Sequence, residues 1–239
     1  EEEQEDSMPD YPVTVFFTRE GYFKKITPQS LRMSGDQKLK DGDAIVLQKE
    51  TKNNAELLFF TNRCQVYKCR AGDFADGKAS LMGEYIPARL GMDEGELPVC
   101  MAVTEDYKGH MFFVFENGKV AKVPMSSYAT KQNRRKLVNA FSDKSPLFWV
   151  SYLHEECELA IQTSAGRMLL VHSAQVPEKQ TKNTAGVNVI TLKRNHRITL
   201  VRSAEGMELA DPHRYRVRTL PAMGAILKAE DTAEQTRLV

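Results

Sequence analysis

One short phrase recurs four times along this chain, and the recurrence restricts the architectures open to it more than any other feature. The copies read VTVFFTREGYFKKI at 13–26, ELLFFTNRCQVYKC at 56–69, HMFFVFENGKVAKV at 110–123 and CELAIQTSAGRMLLV at 157–171. Aligned on their middles, they bring Gly21, Cys64, Gly118 and Gly166 into register, at steps of 43, 54 and 48 residues. Periods of that size belong to bladed or stacked repeats.

Each copy is an apolar run, a polar step with Gly, and a second run carrying a basic residue. Val, Phe, Ile and Thr on both sides of such a step predict a β-hairpin. Gly suits the turn because it requires positive φ, which a Cβ penalises. Cys64 departs from the pattern, so the second turn is expected to be longer or bulged, with Asn62 in the left-handed position. Further apolar segments follow the hairpins at 39–47, 88–99 and 189–200. A hairpin plus one or two such strands makes a four-stranded sheet, since a lone two-stranded ribbon is barely stable in water. Four copies, with a degenerate fifth in 187–227, predict an all-β, propeller-like ring or spiral of about four to six four-stranded blades. No segment has the apolar periodicity of a helical solenoid.

The domain reading is an acidic linker at 1–10, one folded domain at 11–227 and a polar tail at 228–239. No run approaches the roughly 20 apolar residues of a membrane span, so no membrane is expected. The chain opens on EEEQED without Met or an apolar leader, and is read as a piece of a longer polypeptide. The first ten residues hold six acids and no base, leaving 33 basic against 26 acidic side chains in the remainder. Lys119, Lys122, Lys131, Arg134, Arg135 and Lys136 cluster without an acid, and Arg167, Lys179, Lys182, Lys193, Arg194, Arg197 and Arg202 follow with only Glu178 among them near 167–202. Such stretches are either solvated surface or a face that meets a polyanion.

Cys64, Cys69, Cys100 and Cys157 show no C-x-x-C pair, which disfavours a structural zinc site and fits reduced thiols in the cytoplasm. No Walker loop, G-x-S-x-G elbow or H-E-x-x-H is present. His110, His154, His172, His196 and His213 are expected to be buried with single hydrogen bonds. Trp149 and the pairs Phe16–Phe17, Phe59–Phe60 and Phe112–Phe113 are expected to be core. No catalytic residue, metal or cofactor is assigned.

FFT-x-x-G-x-x-KK, GKVAKV at 118–123 and AGVNVITL at 185–192 resemble the C-terminal domain of bacterial type IIA topoisomerase A subunits, the family formed by the A subunit of DNA gyrase and its topoisomerase IV counterpart. The resemblance covers about residues 11–203. It implies a β-pinwheel, in which neighbouring blades exchange strands and DNA bends around a basic rim. The partners it implies are double-stranded DNA, the remaining part of the A subunit, and the ATPase B subunit. It further implies a catalytic tyrosine outside this chain. Gyrase A subunits carry a basic, Gly-rich box after the first hairpin. Here that place reads QSLRMSGDQKLK at 29–40, which puts gyrase-type wrapping in doubt and points toward topoisomerase IV.

A row of Lys and Arg gains affinity for DNA by releasing counterions, without reading sequence. The repeat places Lys25, Lys68 and Lys122 at equivalent strand positions; the fourth copy has Leu170 there and shifts its charge to Arg167. With Lys119, Lys131, Arg134, Arg135, Lys136, Lys179, Lys182, Lys193 and Arg194 these form the candidate DNA-binding set. The strand lysines have an alternative role in solubility and edge protection. For the whole domain, the alternatives are a propeller-type protein-interaction platform without DNA binding and a propeller hydrolase with a central acid or histidine cluster.

Overall fold

All four phrases fold as antiparallel hairpins with turns of one design. The structure is a computed structural model that describes residues 8–131 and 135–231. In chain order its strands are β1 (Pro12–Thr18), β2 (Tyr22–Ile26), β3 (Ile45–Lys52), β4 (Glu56–Thr61), β5 (Val66–Arg70), β6 (Glu84–Tyr85), β7 (Pro98–Thr104) and β8 (His110–Phe115). They continue as β9 (Lys119–Pro124), β10 (Lys136–Leu137), β11 (Leu147–Leu153), β12 (Glu158–Thr163), β13 (Arg167–His172), β14 (Val187–Asn188), β15 (Ile198–Ser203) and β16 (Ala225–Ile226). The hairpins are β1–β2, β4–β5, β8–β9 and β12–β13.

In every turn the residue aligned with Gly21 donates its amide to the carbonyl three residues back. The pairs are Gly21 to Thr18, Cys64 to Thr61, Gly118 to Phe115 and Gly166 to Thr163, all at 3.0–3.1 Å. Their φ values are 97°, 55°, 86° and 70°. Cys64 therefore occupies the left-handed position itself, correcting the expectation that Asn62 would. The reason is register: Phe60 pairs with Val66 as Phe17 does with Phe23, so the loop lengths match and the geometry is imposed on whatever residue stands there. Cys64→Gly is expected to stabilise the protein by about 0.5–1 kcal/mol. It relieves a left-handed cost of about 1–2 kcal/mol and gives back about 0.4–1 kcal/mol to the freer unfolded chain. Chemical denaturation measures the change; a loss of stability would mean that the thiol's contacts outweigh the strain.

A third strand joins the first strand of each hairpin: β3 on β1, β7 on β4, β11 on β8 and β15 on β12, each with a register shift near the turn end. The fourth strands, two residues long, join the other side: β6 on β2, β10 on β5, β14 on β9 and β16 on β13. Four four-stranded sheets result among the described residues. In the first three, the fourth strand comes from chain that has already run through the next hairpin, the strand exchange that the pinwheel resemblance implies. Gly83, Gly186 and Gly224 immediately precede β6, β14 and β16, with φ of 93°, 81° and 85°. A Cβ at these glycines would lie 2.5 Å from Phe23 O, 2.3 Å from Val120 O and 2.6 Å from Met168 O. Close backbone approach thus seats three of the four closing strands; Arg135 holds the equivalent place in the second sheet.

Two expectations shift. The segments 39–47, 88–99 and 189–200 are mostly connector, with β3, β7 and β15 beginning near their ends, because Gly42, Gly95 and Asn195 turn the chain first at positive φ. The stretch 187–227 is not a fifth unit: β14 completes the third sheet, and β15 and β16 complete the fourth. A short helix, α1 (Pro28–Met33), was not foreseen. Pro occupies its first turn, and the Thr27 hydroxyl accepts the Ser30 amide at 3.4 Å as N-cap.

The chain divides into two compact units, residues up to 107 with 130–140, and 108–129 with 141 onward. In the first, Val15, Phe17 and Phe23 share a core with Leu57, Phe59 and Met101, and Phe17 meets Phe59 edge-on with centroids 5.7 Å apart. In the second, Phe112 and Val114 pack with Leu159, Ile161, Leu169 and Val171, with Trp149 half-buried against them. All six paired phenylalanines are at most 2% exposed, as expected of core. Each contributes about 1.5–3 kcal/mol by burial.

Acids anchor the turns of the first unit. Asp43 accepts the Glu20 and Ala44 amides at 3.0 and 2.8 Å. Glu96, 1% exposed, accepts the Thr61 and Tyr67 hydroxyls at 2.6 and 2.7 Å. Burial works to raise both carboxyl pKa values, but the hydrogen bonds to the charged form outweigh it and both end lowered. A carboxyl lowered by folding leaves the unfolded chain binding more protons, so its stabilisation is complete above the ordinary carboxylate range and fades as pH falls through the lowered value. The melting temperature is expected to hold near neutrality and drop below about pH 4.5, and Glu96→Gln is expected to flatten that drop. An unchanged acid limb in Glu96→Gln would exclude Glu96 as a source.

Candidate nucleic-acid interface

The second strands of the first and third hairpins are buried on both faces, which encloses two of the repeat lysines. Lys25, 2% exposed, donates to Asn53 Oδ1 at 2.6 Å and lies 3.3 Å from Asp76. Lys122, 5% exposed, meets Glu156 at 2.6 Å and the Ser173 carbonyl at 3.1 Å. Ser173 also donates its hydroxyl to Glu156. Burial works to raise the Glu156 pKa, but the hydrogen bonds and the Lys122 charge bring it below the usual value. Lys68 is half-buried, bonded to Thr130 at 3.1 Å, with its ammonium 5.3 Å from the Tyr107 ring centroid. Burial lowers its pKa, with Glu56 opposing.

Lys25 and Lys122 are thus corrected from surface contacts to internal ties. They are spent on side-chain and carbonyl partners, and no phosphate reaches an ammonium so enclosed. In the fourth sheet the charge is not shifted to Arg167, as expected, but comes from Arg216. Leu170 bridges to Arg216, whose guanidinium pairs with Glu158 at 3.1 Å. Arg167 stands at the opposite end of β13, beside the turn.

The remaining candidates are surface residues. Lys131, Arg135, Lys136, Lys179, Lys193 and Arg194 are exposed, and Lys119, Arg167 and Lys182 are half-buried. Arg134 lies outside the described residues. Lys136 sits over the Tyr67 ring at 5.6 Å. None of the other exposed five makes an ion pair among the described residues. They come from the connectors and closing strands: 131–136 leads into β10, 179–182 precedes β14, and 193–194 precedes β15.

Lys24 went unrecognised in the sequence. It is 4% exposed and its ammonium donates to the carbonyls of Lys38, Ala79 and Leu81 at 3.2, 3.2 and 3.0 Å, while burial lowers its pKa. It pins two connectors to β2. The expectation of buried histidines is also overturned: none of the five is buried, because each stands at a strand end, in a turn or, for His213, in a short 3-10 helix rather than mid-strand. His110 bonds Glu178 at 2.6 Å. All four cysteines are free, and burial foremost pushes the Cys69 and Cys100 thiols up to about 12. Among the described residues, no group of three His, Cys, Asp or Glu side chains is placed to hold a metal ion, and no helix is long and apolar enough to cross a membrane.

The fold and the surface cations can be set beside known proteins. The family described as DNA gyrase C-terminal domain, beta-propeller, matches residues 158–205, from the start of β12 to two residues past β15. The A subunit of DNA topoisomerase 4 from Staphylococcus epidermidis is 27% identical over 196 residues, 80% of this chain and 24% of that protein. Its Staphylococcus aureus counterpart is 24% identical over the same lengths. The chain resembles the C-terminal domains of topoisomerase A subunits. Solved structures agree on the propeller fold. The C-terminal domain of DNA topoisomerase IV superposes with a TM-score of 0.70 at 23% identity, covering 83% of this chain and 63% of that one. The E. coli ParC C-terminal domain superposes with a TM-score of 0.66 at 14% identity, covering 91% and 94%. The four sheets are blades of the β-propeller kind. The chain spans about a quarter of the length of the curated relatives it matches.

Proposed function

We propose that this domain binds double-stranded DNA without reading its sequence and bends it, as the C-terminal part of a topoisomerase IV-like A subunit. The observation that carries the reading is the set of exposed cations without acid partners, Lys131, Arg135, Lys179, Lys193 and Arg194, on a fold of the topoisomerase IV C-terminal kind. Exposed, unpaired ammonium and guanidinium groups bind phosphates and release counterions. A bend of 40–90° costs on the order of 1–6 kcal/mol, which contacts on several connectors can offset and one local patch cannot. The domain contributes geometry, and no cofactor or bond chemistry. Strand breakage falls to the rest of the A subunit, and ATP hydrolysis to the B subunit, in the cytoplasm. The topoisomerase IV assignment is supported by 29–40, where α1 and an acid-containing loop stand in place of a basic, Gly-rich box.

The test is duplex binding by fluorescence anisotropy across salt. Affinity is expected to fall by at least about 100-fold between 50 and 200 mM salt, the response of several phosphate contacts. Lys131→Glu with Arg135→Glu is expected to weaken binding roughly tenfold and to lower the salt slope by about two. Their side chains make no bond among the described residues, so melting should be unchanged. A flat salt response would overturn the reading in favour of a protein-interaction platform.

A further inference from the structure

The geometry points to a phosphate-and-sugar seat at the turn of the fourth hairpin, in the notch walled by Arg167, Lys193 and His196, which takes one backbone unit of a DNA strand. This rests on the DNA-binding reading and names one of its contact points. The notch is a cavity of about 220 Å³ with Leu192, Met223 and Ile226 among its walls and no acidic residue in its lining. That is smaller than the roughly 300–1,000 Å³ of sites that enclose a small molecule. It therefore suits one group of a longer ligand rather than a whole metabolite.

The chemistry of the walls selects the group. Arg167 Nη1 donates to the Gly224 carbonyl at 2.8 Å, which pins the guanidinium beside β16 and leaves its other N–H groups for an anion. Lys193 has no hydrogen bond or ion pair from its ammonium among the described residues. The Ser164 hydroxyl accepts the Arg197 amide at 2.9 Å and lies 3.1 Å from His196 Nδ1. In the tautomer whose Nδ1 accepts the Ser164 hydroxyl, Nε2 carries the ring N–H and is a further donor. Three donors of positive or neutral charge and no carboxylate favour a phosphate. Ile226 is 49% exposed, so the apolar wall is open to solvent, and the C–H face of a deoxyribose is the complement of such a wall beside a phosphate site.

The seat is preformed. Ser164 N donates to Arg197 O at 2.8 Å, Thr191 N to Ala222 O at 2.9 Å and Leu227 N to Gly166 O at 2.8 Å, so the hairpin turn, the 191–197 loop and β16 are tied together without a ligand. Rigid walls reduce the ordering cost of binding.

Deoxyribose 5-phosphate, inorganic phosphate and a short duplex are titrated in turn into the isotope-labelled chain and followed by NMR. Deoxyribose 5-phosphate is expected to shift the signals of Arg167, Leu192, His196 and Ile226, and to bind more tightly than inorganic phosphate because the sugar covers the apolar wall. Lys193→Glu is expected to abolish those shifts and to weaken the duplex roughly tenfold, the loss of a charge-assisted contact. Lys49→Glu, an exposed lysine on β3, is the control for general charge and leaves the sugar-phosphate shifts intact. A duplex that binds equally well to Lys193→Glu, with no sugar-phosphate shifts at the notch, overturns the seat and leaves DNA binding standing. Absence of duplex binding to the unaltered chain overturns the DNA reading instead. Shifts from inorganic phosphate equal to those from the sugar phosphate would overturn the role of the apolar wall.

Discussion

Gly186→Ala is expected to destabilise the protein by about 1.5–4.5 kcal/mol once the stiffer unfolded chain returns about 0.4–1 kcal/mol, a large part of the 5–15 kcal/mol that holds a typical domain together. Two penalties combine at this position. A φ of 81° costs an L-residue with a Cβ about 1–2 kcal/mol. The added carbon would also lie 2.3 Å from Val120 O, 2.5 Å from Val120 C and 2.8 Å from Ala121 N. All three are backbone atoms of β9, so no rotamer change relieves the overlap, and forced separation adds about 1–3 kcal/mol. The strand that follows cannot retreat either. The amides of Val189 and Ile190 both donate to Gly118 O, and a Cβ at Gly118 would in turn meet Ile190 O at 2.2 Å. The closing strand is held between two glycines. Gly42→Ala is the control: φ is 80° there, yet nothing lies within 4 Å of the added carbon. It is expected to lose only about 0.5–1 kcal/mol, the left-handed cost of about 1–2 kcal/mol less the about 0.4–1 kcal/mol that alanine returns by stiffening the unfolded chain. Denaturant unfolding of both variants gives the contrast. Equal losses would mean that strand closure does not depend on close approach.

What could be read beforehand follows from how locally each feature is encoded. The hairpins were legible because alternation of large apolar residues and a turn residue lie within one short phrase, and Phe16–Phe17, Phe59–Phe60 and Phe112–Phe113 had nowhere to go but the core. The third strands were misplaced toward their connectors, since Ile45 to Lys52 carries so many polar residues that only its pairing with β1 makes it a strand. The closing strands were hidden by length: two residues give no period, and only the repeated glycine at 83, 186 and 224 announces them. The Cys64 turn departs from residue preference because strand register sets its geometry. The exposure of the basic connectors could be read beforehand, because charge in a run is a local property. The sequence could not separate them from Lys25 and Lys122. Which face of a blade a strand lysine takes, and whether Asn53, Asp76 or Glu156 waits there, depends on residues 28–51 positions away.

Lys25→Ala separates an internal tie from a DNA contact, and is expected to cost about 2–4 kcal/mol of stability with no loss of DNA affinity. The ammonium is the partner of Asn53 Oδ1 at 2.6 Å, and Asn53, itself 3% exposed, uses its Nδ2 on Pro9 O at 2.7 Å. Removing the amine leaves that buried amide oxygen unmet, at about 1–3 kcal/mol. The vacated aliphatic stem adds a cavity cost on top. Asp76 contributes little to the total, because its side chain is 43% exposed and water can solvate it once the amine is gone. Lys25→Met keeps most of the stem and loses the amine, so it should recover the packing share alone. For Lys131→Glu with Arg135→Glu the pattern inverts, with melting unchanged and duplex binding weakened. If Lys25→Ala instead lowered duplex affinity at unchanged stability, the amine would have to reach solvent in the DNA-bound state, and the strand lysines would return to the binding surface that the repeat first marked out for them.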